Sequence, residues 1–299
     1  MSKGKKILII LITAIAAGAF VFAGIYMLKN PPTFSSEATE LADSLKIEDF
    51  NYEVKQANIK GENKYVLDVT NNSQFEVISA GMYYKTKSDA TEDQLKVFEE
   101  FVKTAGDSGS KVENVILFGS EETYIAPKGG KASNIALNLG IASQVTNEEQ
   151  QPTVEQFALL EPSMFMIVFK GNKDDLYNAY YDIEKKAWDI QKSSAAVDVN
   201  KLPEGCDEKL MPKLDNHLYY SMQTDNKKEY DVNAFGLTQE EFKAYTESLK
   251  SQGFTKSLHE EVLNEGAREE FYGEDGNGTT ITILIDYGRK ITEINIVKS

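Results

Sequence analysis

The chain has 299 residues, with 32 Lys and Arg against 47 Asp and Glu, a formal net charge of −15. That balance excludes nucleic-acid binding, which needs clustered cations facing phosphates. One cysteine, Cys206, excludes an intrachain disulfide framework, so stability has to come from hydrophobic cores that the chain is long enough to build.

Between Ile7 and Leu28 no residue is charged. As a helix this run would reach roughly 33 Å, enough to cross a hydrocarbon core of about 30 Å. Lys3, Lys5 and Lys6 precede it while only Lys29 follows closely, so the positive-inside bias puts residues 1–6 in the cytoplasm and everything after the span outside. Tyr26 falls at the outer interface. The rival reading is a signal peptide cleaved after Ala23, since Val21-Phe22-Ala23 puts small residues where a signal peptidase reads them. Cleavage there would leave an apolar start, Gly24-Ile25-Tyr26-Met27-Leu28, which has no obvious use in a soluble product but completes a span. The anchor is therefore the favoured reading and secretion its alternative. No cysteine follows the run, which argues against a lipoprotein. Scarce cysteine suits an exported protein of a Gram-positive bacterium, in which the sequons Asn71-Asn72-Ser73 and Asn277-Gly278-Thr279 are turn chemistry. With the four lysines of residues 1–30 set aside, the remainder carries −19. Such a charge reads as a solubilising surface, or as an acidic face for a basic peptide or divalent cations.

Asn30-Pro31-Pro32 stops the span, and residues 29–47 read as a stalk with Ala38, Leu41, Ala42 and Leu45 on one side. From Phe50 the apolar period becomes two. NYEVKQANIK, KYVLDVTN and FEVISAGMYYKTK are strands separated by Lys60-Gly61-Glu62-Asn63 and by Asn71-Asn72-Ser73. TEDQLKVFEEFVKTAG is a helix, with Thr91 and Gln94 as a capping box, Leu95, Phe98, Phe101, Val102 and Ala105 as its apolar stripe and Gly106 as its end. Further strands follow in NVILFGSEETYIAP, ASNIALNLG and SMFMIVFKG, then in NAYYDI and AWDI, which can pair across Glu184-Lys185-Lys186. About seven or eight short strands over residues 48–192 point to a β-sandwich of immunoglobulin-like build.

KLPEGCDEKLMPK carries two prolines and a glycine where the apolar period fades, so residues 193–213 read as a linker. Residues 214–299 form the last module. HLYYSMQT and KEYDVNAFG are strands, and TQEEFKAYTESLKSQG is a helix capped by Thr238 and Glu241, buried through Phe242, Tyr245 and Leu249 and ended by Gly253. TKSLHEEV, AREEFYGE, TTITILIDYG and KITEINIVK then give a meander with Asp275-Gly276-Asn277-Gly278 at a hairpin tip. A small α+β domain results, with one helix on an antiparallel sheet.

Two stretches carry a resemblance. KYVLDVTNNSQFEVISAGMYYKTK with IAPKGGKASNIAL resembles the immunoglobulin-like modules of secreted Gram-positive lipoproteins and envelope proteins, from which helix 91–105 departs. EFKAYTESLKSQGFT followed by FYGEDGNGTTITILID resembles C-terminal modules of exported Firmicutes proteins to which no activity is assigned. The resemblance implies folds and no chemistry.

Catalytic constellations are missing from the sequence. His217 and His259 are the only imidazoles, too few for a zinc site and without a nucleophile partner, and both read as ordinary residues at or near strands. Cys206 lies beside Asp207 and Glu208, which disfavour a thiolate. Glu269, Glu270, Glu240 and Glu241 read as solvated positions. No cofactor or metal is expected. Aromatic residues offer the contact candidates, Tyr180, Trp188 and Tyr219; most of the Tyr177–Trp188 set is expected to be core, with Tyr180 its exposed member. The expected function is non-catalytic: an extracellular binding or scaffolding ectodomain on a single-pass anchor, meeting an envelope protein, peptide or glycan. The alternatives are an envelope hydrolase using paired carboxylates, and an inhibitor or sensor module released by cleavage.

Overall fold

The computed structural model describes residues 41, 44–59, 61–105, 111–142, 150–171, 174–193, 197–223 and 228–299. The expected membrane span at residues 7–28 lies outside them, as does most of the stalk; among the described residues no helix is long and apolar enough to cross a membrane. The chain divides into two compact units, one of residues 1–169 with 177–193 and one of residues 170–176 with 194–299.

The first unit is built from nine strands in two mostly antiparallel sheets. Strands β1 (Phe50–Ile59), β2 (Glu62–Asn71) and β5 (Gly130–Ala136) form a three-stranded sheet in the order β1-β2-β5. Strands β3 (Val77–Thr86), β4 (Val115–Ile125), β6 (Asn138–Ile141), β7 (Leu160–Lys170), β8 (Leu176–Asp182) and β9 (Ala187–Lys192) form a six-stranded sheet in the order β6-β4-β3-β7-β8-β9. One core draws on both sheets, as a β-sandwich requires: Phe50, Leu67, Val69 and Ile135 from the first, Val77, Met82, Leu117, Phe165, Ile167 and Phe169 from the second. Phe165 lies at its centre, stacked on Tyr52 at 5.0 Å and 5.7 Å from Phe50.

ASNIALNLG, read as one strand, is two. The chain leaves β2 at Ala136, buries Leu137 and joins β4 from Asn138, so it changes sheets within three residues. Gly119 on β4 permits this crossing, because a Cβ there would run into the Ala136 carbonyl. Asn71 secures the neighbouring turn: its amide donates to the carbonyl of Phe75 at 2.8 Å and of Ile125 at 3.1 Å, and its Oδ1 accepts from the Ser73 main chain and hydroxyl. The helical segment comprises α1 (Glu92–Leu95), one 3-10 turn and α2 (Glu99–Ala105). Thr91 and Gln94 cap it as expected, and Leu95, Phe98, Phe101 and Val102 enter the core. A short helix α3 (Val154–Ala158) carries a second capping box at Thr153 and Gln156. The end of the stalk is no free spacer, since Leu41 and Leu45 are buried in the same core.

In the second unit, β10 (Asp198–Val199), β11 (Tyr219–Gln223), β12 (Glu229–Phe235), β13 (Lys256–Leu263), β14 (Arg268–Glu274), β15 (Thr279–Asp286) and β16 (Ile291–Lys298) make one antiparallel sheet in the order β10-β11-β12-β16-β15-β14-β13. Helix α4 (Gln239–Ser251) lies on one face, burying Phe242, Tyr245 and Leu249 against Val232, Phe271, Ile281, Ile283, Ile294 and Ile296. Residues 193–213 are not a linker. Val199 pairs with Tyr220, Leu210 and Met211 are buried in this core, and the Tyr245 hydroxyl donates to the Leu210 carbonyl at 2.7 Å. These apolar side chains follow no period because they fill space beside the helix rather than line an element.

Candidate functional site

Tyr180, Trp188 and Tyr219 do not converge. Tyr180 is only 3% exposed, which corrects its reading as the exposed member of its set. It packs with Tyr83, Met164 and Met166 on the face of the six-stranded sheet opposite the main core, and burial drives its phenol pKa up. Trp188 pairs with Tyr181 and turns to the other face, 6.1 Å from Phe50 and 6.4 Å from Phe165. Tyr219 belongs to the second unit, half-buried against its core.

A polar cavity of about 320 Å³ opens on the outer face of the three-stranded sheet, lined by Asn51, Glu53, Asp68, Thr70, Lys131 and Ser133. Glu53 and Asp68 are directly opposite in register. Asp68 is fully engaged: one oxygen takes the Lys55 ammonium, and the other accepts the main-chain N–H of Asn134 at 2.9 Å. Asn134 has φ 64°, and Asp68 therefore fastens the bulge at which β5 shifts register on β2.

The second unit presents a different surface. Ile281, Ile283, Ile285, Ile294 and Ile296 share the core of α4, so alternation sends Glu229, Asp231 and Asn233 of β12, Glu293 and Asn295 of β16, Glu270 and Tyr272 of β14 and Glu261 of β13 to the opposite face. Among the described residues no helix of this unit lies on that face. Near one end its charges are balanced. Asp286 meets Arg268 Nε at 2.6 Å and Arg289 Nε at 3.1 Å, and Arg289 also reaches Glu293 at 3.6 Å. Burial pushes the Asp286 carboxyl up, but the main-chain N–H of Arg289 and the two arginine charges outweigh it and hold the carboxyl below the usual aspartate range.

Farther along the face, among the described residues, Asp231, Glu261 and Glu270 form no ion pair with a lysine or arginine. Asp231 is buried, its carboxyl pushed up by desolvation and by the charge of Glu229 against one hydrogen bond from Asn295 at 2.7 Å. Glu261 and Glu270 stand directly opposite each other on neighbouring strands. Glu270 is 9% exposed, not solvated as the sequence suggested, and its Oε1 is buried without a hydrogen-bond partner. Among the described residues Glu261 has only His259 as a partner, 3.3 Å away. Like charges directly across a strand pair destabilise it, and an unsatisfied buried carboxylate oxygen adds a desolvation cost. No family model matches the chain, and no match to a curated protein is found.

The acid pair was within reach of sequence reasoning. Leu263 pairs with Arg268, so any two residues equally far from that hairpin turn face each other, and of the Glu-Glu runs at 260–261 and 269–270 this brings Glu261 opposite Glu270. Other titratable groups are structural. His217 bonds to the Phe235 carbonyl at 3.2 Å and to Glu241 at 3.0 Å, tying β12 to the start of α4. Cys206 is a free, half-buried thiol whose pKa is raised by burial, with Asp207 and Glu208 adding to the rise. Among the described residues no cluster of His, Cys, Asp and Glu is placed to hold a metal ion.

Proposed function

We propose that the chain is a non-catalytic, single-pass protein of the cell envelope, with its N-terminus in the cytoplasm and an extracellular ectodomain that binds a cationic partner. In this reading the first unit is an immunoglobulin-like sandwich, and the second unit binds through the sheet face opposite α4. The observation that carries it is the Glu261–Glu270 pair with its unpartnered buried oxygen. A carboxylate held in this way gains a partner, and sheds its desolvation cost, when a basic group arrives from outside. The uncharged run from Ile7 to Leu28 and its lysine asymmetry support the anchor. The hydrolase alternative needs a free acid and a free base at a cavity, and Asp68 is already committed to Lys55 and Asn134.

Two measurements test the reading. The full chain in detergent micelles is expected to bind spermine, more weakly in Glu270→Gln and at high salt. Equal binding by both proteins would remove the acidic face from consideration. External protease on intact cells, with the intact mass of a C-terminally tagged product, tests the anchor; a soluble product beginning at Gly24 would refute it.

A further inference from the structure

Strand β13 is the outer edge of the seven-stranded sheet, and it is exposed along nearly its whole length. Among the described residues its main-chain groups enter no backbone hydrogen bond apart from those to β14. Exposed edges are usually blunted by bulges, lysines or prolines. Here the irregularity is confined to the start: the register shifts between Lys256 and His259, where Ser257 has φ 53°. From His259 to Leu263 the pairing is regular. The two faces of this edge differ. Glu261 points to the acidic face, beside Glu270 one strand inward, whereas Leu258 and Val262 point toward the α4 side and are 40% and 66% exposed. Glu260, between them, is already paired with Lys250 at 2.8 Å.

We propose that β13 accepts an extended segment of a partner as an additional strand, and that the segment alternates basic and apolar residues. Successive side chains of an added strand point to opposite faces. A lysine or arginine opposite Glu261 pairs with Glu261 and relieves its repulsion of Glu270, while its neighbours in sequence cover Leu258 and Val262. Main-chain bonds to the free edge supply affinity and the two faces supply selection. Charge complementarity chooses this occupant over an acidic or uniformly apolar one. The inference rests on the cationic-partner reading and adds to it the partner's conformation and pattern.

The test uses the full-length chain in detergent micelles with a fluorescent peptide of about ten residues, the upper length of an ordinary strand. One peptide alternates lysine and valine; a second has the same composition in two blocks. Fluorescence anisotropy should show the alternating peptide binding about tenfold more tightly, with Glu261→Gln and Val262→Asn each weakening it several-fold. Amide hydrogen exchange at residues 259–263 should slow in the complex. Equal affinity for the two peptides with unchanged exchange at 259–263 would overturn strand addition, and retained spermine binding would then leave the acidic-face reading standing. Failure of both peptides and of spermine would overturn both.

Discussion

Two parts of one sheet face treat the same chemical group in opposite ways. Around Asp286 a buried carboxylate is met by two arginines and a main-chain N–H, and its negative form is favoured. Glu261 and Glu270 face each other across a strand pair, and Asp231 meets a single amide while burial pushes its carboxyl up. The first arrangement is closed by residues of the chain itself. The second leaves charge that its neighbours do not neutralise, and the proposed binding surface rests on this difference rather than on the total acidity.

Removing a member of the closed cluster should have the largest effect. Asp286→Ala leaves Arg268 and Arg289 without their shared anion and is expected to lower stability by about 3 kcal/mol, read from urea unfolding. A loss well under 1 kcal/mol would abolish the contrast. The open cluster should respond with the other sign. Glu261→Lys converts a like-charge pair into an attractive one and should stabilise the unit by about 0.5 kcal/mol while abolishing the binding of cations. A destabilised variant would mean that the pair is relieved in some other way. The pH dependence sharpens the comparison with the smallest expected effect. Asp286 is held below the ordinary aspartate value of about 3.9, so its contribution is present above that pH and disappears as the pH falls through its folded-state pKa. Asp231 is raised, so its contribution is complete below about pH 3.9 and is lost as the pH rises through its folded-state pKa. Asp231→Asn should therefore be more stable than the parent at neutral pH, with the advantage vanishing in acid; parallel stability–pH curves would contradict this.

Local chemistry was legible in the sequence and long-range placement was not. The capping boxes at Thr91 and Thr238 form as read, and Asp275 closes the hairpin tip by accepting from the main chain of Asn277 at 2.7 Å and Thr279 at 3.0 Å. Each depends on residues within four positions of one another. By contrast, the sheet change at Leu137 depends on which distant strand offers an edge, and the burial of Tyr180 on the methionines of β7 and the tyrosine of β3. The region 193–213 lacks periodicity, yet Leu210 and Met211 are core because α4 and β12 leave room for them. The acidic site lay between these extremes. Its facing glutamates follow from hairpin symmetry, but the burial of Glu270 depends on the packed sheet.

The crossing at Leu137 has a mechanical consequence. Since β5 and β6 are consecutive segments joined through Leu137, the two layers of the first unit are linked by a covalent backbone as well as by contact between side chains. A load that drew one layer across the other would be carried along peptide bonds at that point, and Gly119 keeps the junction tight enough that little slack exists to be taken up. Under a pulling force the sandwich should therefore yield in one step, with no extended intermediate in which one sheet has slid free of the other.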